Sequence, residues 1–148
     1  MDWLKKLKKG KTIFCGLGND LREDDGVGNY IARALSKHFT VFVMEEDPEL
    51  YIDSIVKMHP DTVILFDAAD FKGEPGDISI IPIEKIDRFT FSTHRLPLSI
   101  FVYMLKRKLD VSIHLIGIEP FSLRYREGIS DKMKKVADKI IASFYLSS

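Results

Sequence analysis

The sequence contains a single cysteine and no excess of charge of either sign. Lysine plus arginine and aspartate plus glutamate number 22 each among 148 residues, so no net field favours a nucleic acid as partner. Cys15 alone excludes an internal disulfide and an all-cysteine metal cage, which fits a reducing compartment. No basic neighbour is present to lower its pKa, and this argues against a nucleophilic role.

Long apolar runs are also missing. No stretch approaches the roughly 20 residues that span a bilayer, and no apolar segment of signal-peptide length follows the N-terminal lysines. We therefore expect a cytoplasmic protein without stable membrane insertion, folded as one domain over residues 1–148. Residues 1–11 form a short basic segment. We expect its Trp3 to pack back on the domain in preference to a membrane or partner surface.

Common hydrolase and nucleotide-binding motifs are absent as well. The chain has no G-x-S-x-G elbow and no H-E-x-x-H helix. Gly16 and Gly18 follow an apolar run, but Leu21 stands where the dinucleotide fingerprint needs its third glycine. The turn over residues 16–28 carries four carboxylates and one arginine, whereas a phosphate site presents positive potential. A cation suits this turn better, and no nucleotide cofactor is expected.

Hydrophobic periodicity predicts an α/β fold. Apolar runs predict strands at 12–17, 40–44, 62–66, 77–82 and 111–116. Helical spacing predicts helices at 26–39, 47–58 and 96–109, and a last helix that Ser130 caps and that ends near 144. A short turn before 77–82 favours an antiparallel edge strand there, and residues 83–94 are expected to be a linker. This order of elements predicts three α/β/α layers, with a twisted, mostly parallel sheet of about five strands and helices on both faces.

Three segments place a metal-capable side chain beyond the carboxyl ends of strands, where such sheets bind ligands. They are the turn with Asp24 and Asp25, the end of the third strand with Asp67, and the loop with His94. Two carboxylates near 4 Å repel by roughly 4 kcal/mol at an effective dielectric near 20, so a cluster needs a proton, an arginine or a divalent ion. Two carboxylates and an imidazole suit nickel, zinc, iron or manganese, with positions left for water or substrate. We expect Asp25 to face the site and Asp24 to cap the helix.

The same residues also have purely structural interpretations. Asp67 would then only cap the segment that follows it, and His94 would be a surface histidine beside Arg95. His114 lies in an apolar strand and is expected in the core. Three acidic residues close the second strand, where they either add negative potential to this edge or begin a helix: Glu45, Glu46 and Asp47.

Five motifs extend over nearly the whole chain. They are G-x-G-N-x-L-x-x-D-D-G-x-G at 16–28, D-A-x-D at 67–70, P-G-x-I at 75–78, S/T-T-H at 92–94 and G-I-x-P at 117–120. This set resembles the hydrogenase maturation endopeptidases, which trim the C-terminus of the large subunit of [NiFe] hydrogenases. The chain departs from the family at residues 44–48, where a glycine-containing turn is usual and Met-Glu-Glu-Asp-Pro stands here.

The resemblance implies a metal-dependent, aspartyl-type endopeptidase whose metal ligands are Asp25, Asp67 and His94. In that family the ligands grasp nickel already installed in the substrate. The metal is therefore expected to arrive with the hydrogenase large-subunit precursor, and cleavage would check that nickel has been inserted. The alternative is a non-catalytic nickel-binding chaperone or adaptor for hydrogenase assembly that uses the same three residues.

Overall fold

Five strands form a mixed sheet in the computed structural model, which describes residues 1–91 and 96–145. The strands are β1 Thr12–Leu17, β2 Val41–Glu45, β3 Thr62–Ala68, β4 Ile78–Ile81 and β5 Ser112–Ile118. Their order across the sheet is β2-β1-β3-β5-β4. Four strands are parallel, and β4 pairs antiparallel with β5 at one edge. The predicted antiparallel edge strand is confirmed.

Six α-helices lie in the described part of the chain. They are α1 Asp2–Lys5, α2 Val27–Leu35, α3 Ile52–Met58, α4 Ile86–Phe89, α5 Leu98–Lys108 and α6 Asp131–Tyr145. Short 3-10 turns precede three of them, at Glu23–Gly26, Pro48–Tyr51 and Ile83–Lys85. The linker prediction was therefore wrong for residues 83–89, because fully buried Ile86 fixes a short helix on the core. Helix α2 also ends before the predicted residue 39.

The helices cover both faces of the sheet because alternate strand residues point to opposite sides. Ile13 and Cys15 of β1 belong to a core cluster with α3, α4 and α5, whereas Phe14 belongs to a second cluster with α1, α2 and α6. Burying one such aromatic or aliphatic side chain contributes about 1.5–3 kcal/mol. The three-layer α/β/α architecture is confirmed.

Both ends of the chain pack on the second of these faces. In α1, Leu4 is fully buried and Trp3 is 41% exposed, so Trp3 covers only part of its surface against the domain and Leu4 is the residue that enters the core. Ser130 caps α6 as predicted, because its Oγ accepts the Met133 amide at 3.2 Å. None of the helices in residues 1–91 and 96–145 is long and apolar enough to cross a membrane.

The strand order places a topological switch point between β1 and β3. The chain leaves β1 toward β2 on one side and then crosses to β3 on the other side of β1. The carboxyl ends of two such strands border a crevice that commonly binds ligands. Two of the residues proposed from the sequence lie at this crevice, Asp25 in the turn after β1 and Asp67 near the end of β3.

Candidate functional site

Asp25 and Asp67 are both buried at the carboxyl edge of neighbouring parallel strands. Asp25 lies in the 3-10 turn Glu23–Gly26, and its Oδ2 accepts the Asn19 amide at 2.9 Å. Strand β3 extends two residues past the predicted end at 66, so Asp67 belongs to the strand and pairs in register with Gly117 of β5. The strand itself therefore fixes the backbone of Asp67, and the sheet fixes the side of the crevice on which it lies.

Two glycines allow the turn to lie directly on the ends of the strands. Gly18 has φ +129°, and a Cβ placed there would lie 1.8 Å from the carbonyl oxygen of Asp25. A Cβ on Gly28 would lie 2.1 Å from the carbonyl oxygen of Phe66, the residue before Asp67. Only glycine permits either approach. These two contacts fix the first turn of α2 against β1 and β3, next to the two aspartates.

Asp24 does not cap α2, contrary to the sequence prediction. Its fully buried carboxylate accepts four hydrogen bonds from the loop before α6. Oδ2 accepts the Phe121 amide at 2.9 Å, the Ser122 amide at 3.1 Å and the Ser130 hydroxyl at 3.0 Å, and Oδ1 accepts the Ser130 amide at 2.7 Å. A carboxylate has enough acceptor sites for all four of these donors, which are more than a helix cap requires. Asp24 therefore joins the turn after β1 to a distant loop.

Glu23, the residue before Asp24, makes a second connection to that loop. Its Oε1 accepts the Arg124 Nε at 2.8 Å and the Ser122 hydroxyl at 3.0 Å. Its backbone has φ +43°, an uncommon value for a side chain of this size. The hydrogen bond from Arg124 lowers the pKa of Glu23, against the opposing effect of burial. Glu23 is thus held as a carboxylate next to the two aspartates.

The predicted trio of Asp25, Asp67 and His94 stays a prediction. The structure brings the two aspartates to the same crevice, and His94 lies outside the described residues. Over residues 1–91 and 96–145, no group of three or more His, Cys, Asp or Glu side chains is arranged to hold a metal ion. The third ligand that the sequence proposes for this crevice is His94.

The other candidates from the sequence fit structural roles. Cys15 is fully buried in β1, and burial raises the pKa of its thiol, so the thiolate needed for nucleophilic attack is disfavoured. His114 lies on β5 but is only partly buried, so the expected core position was wrong. Burial lowers its pKa, and nearby Lys106 and Lys9 lower it further. Asp70 Oδ1 accepts the Lys72 amide at 3.1 Å, at the start of the segment that leads to β4.

The acidic residues at the end of β2 and directly after it line a cleft of about 550 Å³ beside the turn after β1. Its wall is formed by Gly18, Asn19, Leu21 and five acidic residues, Asp20, Glu45, Glu46, Asp47 and Glu127. Glu45 adopts φ +54° at the point where the family usually has a glycine-containing turn. The sequence offered two interpretations of Glu45, Glu46 and Asp47, negative potential at this edge or the start of a helix. Their position in the cleft wall favours negative potential over helix initiation alone.

Sequence reasoning missed Asn29, a fully buried amide in the first turn of α2. Its Nδ2 donates to the Gly18 carbonyl at 2.8 Å and to Asp20 Oδ1 at 3.1 Å. Asp20 in turn pairs with Arg33 at 2.5 Å. The sequence does contain a signal for this role, because an asparagine stands among small and apolar residues at the start of a helix. From that position its short side chain can reach the preceding turn. Asn29 holds the turn that carries Asp25.

Comparison with known proteins gives concordant matches. The HycI family model, described as hydrogenase maturation protease, matches residues 27–145. The hydrogenase 3 maturation protease of Escherichia coli K12 is 28% identical over 134 residues, which cover 87% of this chain and 85% of that protein. The crystal structure of the [NiFe] hydrogenase maturation protease HycI from Thermococcus kodakarensis KOD1 superimposes with TM-score 0.80 at 31% identity, covering 97% of this chain and 99% of that one. The E. coli endopeptidase HybD shares the fold, with TM-score 0.74 at 20% identity over 89% of this chain and 88% of its own.

Proposed function

This chain belongs to the hydrogenase maturation proteases, and from this premise we propose that it removes the C-terminal extension of a [NiFe] hydrogenase large-subunit precursor after nickel insertion. Asp25, Asp67 and His94 recognise the nickel ion, which arrives as part of the substrate. Family membership supports a peptidase over the non-catalytic adaptor that the sequence left open.

One observation supports this proposal most directly. Two buried carboxylates, Asp25 and Asp67, lie at the carboxyl ends of adjacent parallel strands, at the switch point of the sheet. Burying charged groups is unfavourable unless a cation, a proton or hydrogen-bond donors compensate. A nickel ion that enters with the substrate supplies positive charge at this edge. Its coordination by two carboxylates and an imidazole leaves positions for substrate groups and water.

The reaction is hydrolysis of one peptide bond. Water attacks the carbonyl carbon, the carbon–nitrogen bond breaks, and the departing amine takes up a proton. The nickel ion or a carboxylate beside it polarises the attacking water. Since a precursor without nickel offers the three ligands no ion to bind, it is held poorly and its extension stays attached. Cleavage thereby depends on completed metal insertion.

The test is cleavage of one precursor prepared in nickel-loaded and nickel-free forms, followed by intact-mass spectrometry. The loaded form is expected to lose its C-terminal peptide and the empty form to keep it. Asp25→Asn and His94→Ala are expected to slow cleavage at least about 100-fold, the usual contribution of a positioned acid, base or ligand. Equal cutting of both precursor forms contradicts the dependence on nickel.

Matched controls separate a lost ligand from a lost fold. Asp110→Asn and His38→Ala change an exposed aspartate and an exposed histidine that precede β5 and β2, whereas the crevice lies at the carboxyl ends of the strands. Both variants should cleave as the wild type does. Circular dichroism must show that the site variants remain folded. If folded Asp25→Asn cleaves the loaded precursor at the wild-type rate, Asp25 has no part in the reaction.

A further inference from the structure

The turn after β1 and the loop before α6 form one hydrogen-bonded unit, which we name the paired loops, residues 19–24 and 121–126. The Arg126 amide donates to the Leu21 carbonyl at 2.9 Å, and the Glu23 amide donates to the Arg126 carbonyl at 2.8 Å. The carboxylate of Asp24, the last residue of the first segment, accepts the Phe121 and Ser122 amides of the second segment. These hydrogen bonds join the two segments and restrain the backbone that carries their surface side chains.

The paired loops hold two large side chains out in solvent. Leu21 is 61% exposed and Tyr125 is 86% exposed. The Arg22 guanidinium lies over the Tyr125 ring, 5.4 Å from its centroid. Hydrogen bonds restrain the backbone here, while the large side chains stay in water. Binding a partner to such a surface costs less entropy, because less of the loop has to be ordered. Aromatic and arginine side chains in such a setting are typical anchors of protein interfaces.

The charge of the adjacent cleft indicates what such a partner carries. Leu21 is part of the cleft wall, together with the five acidic residues named above. Among the described residues, Arg33 offsets part of this charge, because it pairs with Asp20 at 2.5 Å and lies 3.7 Å from Glu45. The cleft keeps an excess of negative charge, which attracts a basic segment and repels an acidic one.

The cleft also lies directly beside the proposed catalytic edge. Asn19 belongs to the wall of the cleft, and its backbone N–H donates to Asp25 Oδ2 at 2.9 Å. A polypeptide that lies in the cleft and contacts Leu21 therefore contacts the turn after β1, the same turn that carries Asp25.

We propose that the paired loops and the acidic cleft dock the precursor, with Leu21 and Tyr125 against an apolar part of it and the cleft around a basic segment. The identity of this partner rests on the proposed function. The surface itself is argued from the exposed apolar pair, the fixed backbone and the sign of the charge. Docking here brings the chain to be cut to the crevice and leaves the chemical step to other groups.

The first experiment truncates the apolar anchors. The double variant Leu21→Ala/Tyr125→Ala is compared with Ile100→Ala/Tyr103→Ala on α5, where Ile100 is 40% and Tyr103 is 57% exposed and Arg107 lies over the Tyr103 ring. Affinity for nickel-loaded precursor is measured by surface plasmon resonance, and kcat and KM by the mass assay. The first variant should raise Kd and KM about tenfold or more, with a much smaller change in kcat, as expected for two interface anchors. The α5 control should match the wild type.

The second experiment tests the sign of the charge. Asp47→Asn/Glu127→Gln removes two carboxylates from the cleft wall, and it should weaken binding several-fold at low salt with a smaller difference at high salt. Unchanged binding by this variant overturns the basic segment, and tighter binding points to an acidic segment instead. Equal Kd for Leu21→Ala/Tyr125→Ala and wild type, or a loss confined to the α5 control, overturns the docking surface.

These outcomes also separate this proposal from the proposed function. Wild-type protein that binds the precursor but leaves its mass unchanged defeats the proteolytic function, and the Kd comparison still decides whether the paired loops dock it. Wild-type protein that cleaves nickel-loaded precursor with an unaltered KM in the Leu21→Ala/Tyr125→Ala variant keeps the function and defeats the docking surface. Wild-type protein that neither binds nor cleaves defeats both.

Discussion

Replacing Asp24 by alanine is expected to be among the most destabilising substitutions in this chain. The carboxylate is fully buried and accepts backbone amides from Phe121, Ser122 and Ser130, in addition to the Ser130 hydroxyl. Ser130 Oγ also caps α6 through the Met133 amide. Alanine removes every one of these acceptors, and it loosens the start of α6 as well as the turn after β1.

The magnitude follows from the number of donors left without an acceptor. Each buried donor that loses its acceptor costs about 1–3 kcal/mol. Since three backbone amides lose their acceptor, Asp24→Ala is expected to lower the free energy of unfolding by about 3 kcal/mol or more. Asparagine can keep its one oxygen at the position of Oδ2, where three of the four bonds are made, and it abandons only the Ser130 amide at Oδ1. Asp24→Asn is therefore expected to lose about 1–3 kcal/mol.

The assay is equilibrium unfolding in urea followed by far-ultraviolet circular dichroism, with a thermal scan beside it. A loss of 3 kcal/mol corresponds to a fall in Tm of about 6–12 °C for a domain of this size. Asp110→Ala, at an exposed aspartate, is the control and should stay within about 0.5 kcal/mol of wild type. If Asp24→Ala unfolds within about 1 kcal/mol of wild type, or if asparagine is as damaging as alanine, this account of the network is wrong.

Two further substitutions probe the same turn. Gly18→Ala places a Cβ 1.8 Å from the Asp25 carbonyl oxygen at φ +129°, so it should lose about 2 kcal/mol or more and most of its peptidase activity; wild-type stability in urea would contradict this. The Arg124 hydrogen bond lowers the pKa of Glu23 in the folded protein. This bond therefore stabilises the fold fully at pH values above the ordinary carboxyl pKa near 4.5. The stabilisation is lost as the pH falls through the lower pKa that Glu23 has in the folded state. The stability gap between wild type and Glu23→Gln should accordingly narrow from pH 7 to pH 3 in urea titrations, and a constant gap would refute the shift.

Local patterns in the sequence were sufficient to predict most of the sheet. The apolar run from Thr62 to Phe66 predicted a strand, and β3 begins there and is buried along its whole length. The short turn before Ile78 left no room for a crossover helix, so an antiparallel edge strand followed. The Ser130 cap of α6 was also readable, because caps depend on residues only three positions apart. Each of these features is decided by neighbours in the chain.

Features decided by distant partners could not be predicted. Asp24 accepts the Phe121 amide across 97 positions of sequence, and no local spacing distinguishes this role from a helix cap. The helices at 83–89 depend on the burial of Ile86 against the core, which periodicity over so few residues does not reveal. The same limit applies to the cleft, because its acidic wall combines residues 18–21, residues 45–47 and Glu127.

The different roles of Asp24 and Asp25 follow from the turn that carries them. In a 3-10 helix, with about 3 residues per turn, successive side chains are rotated by about 120°. Two adjacent aspartates in Glu23–Gly26 therefore cannot point the same way: Asp24 faces the loop before α6, and Asp25 faces the Asn19 amide. Since the bonds to Asp24 hold this short turn in place, they also set the direction of Asp25. Loosening the anchor should then reduce stability and misdirect the proposed ligand through the same movement of the backbone.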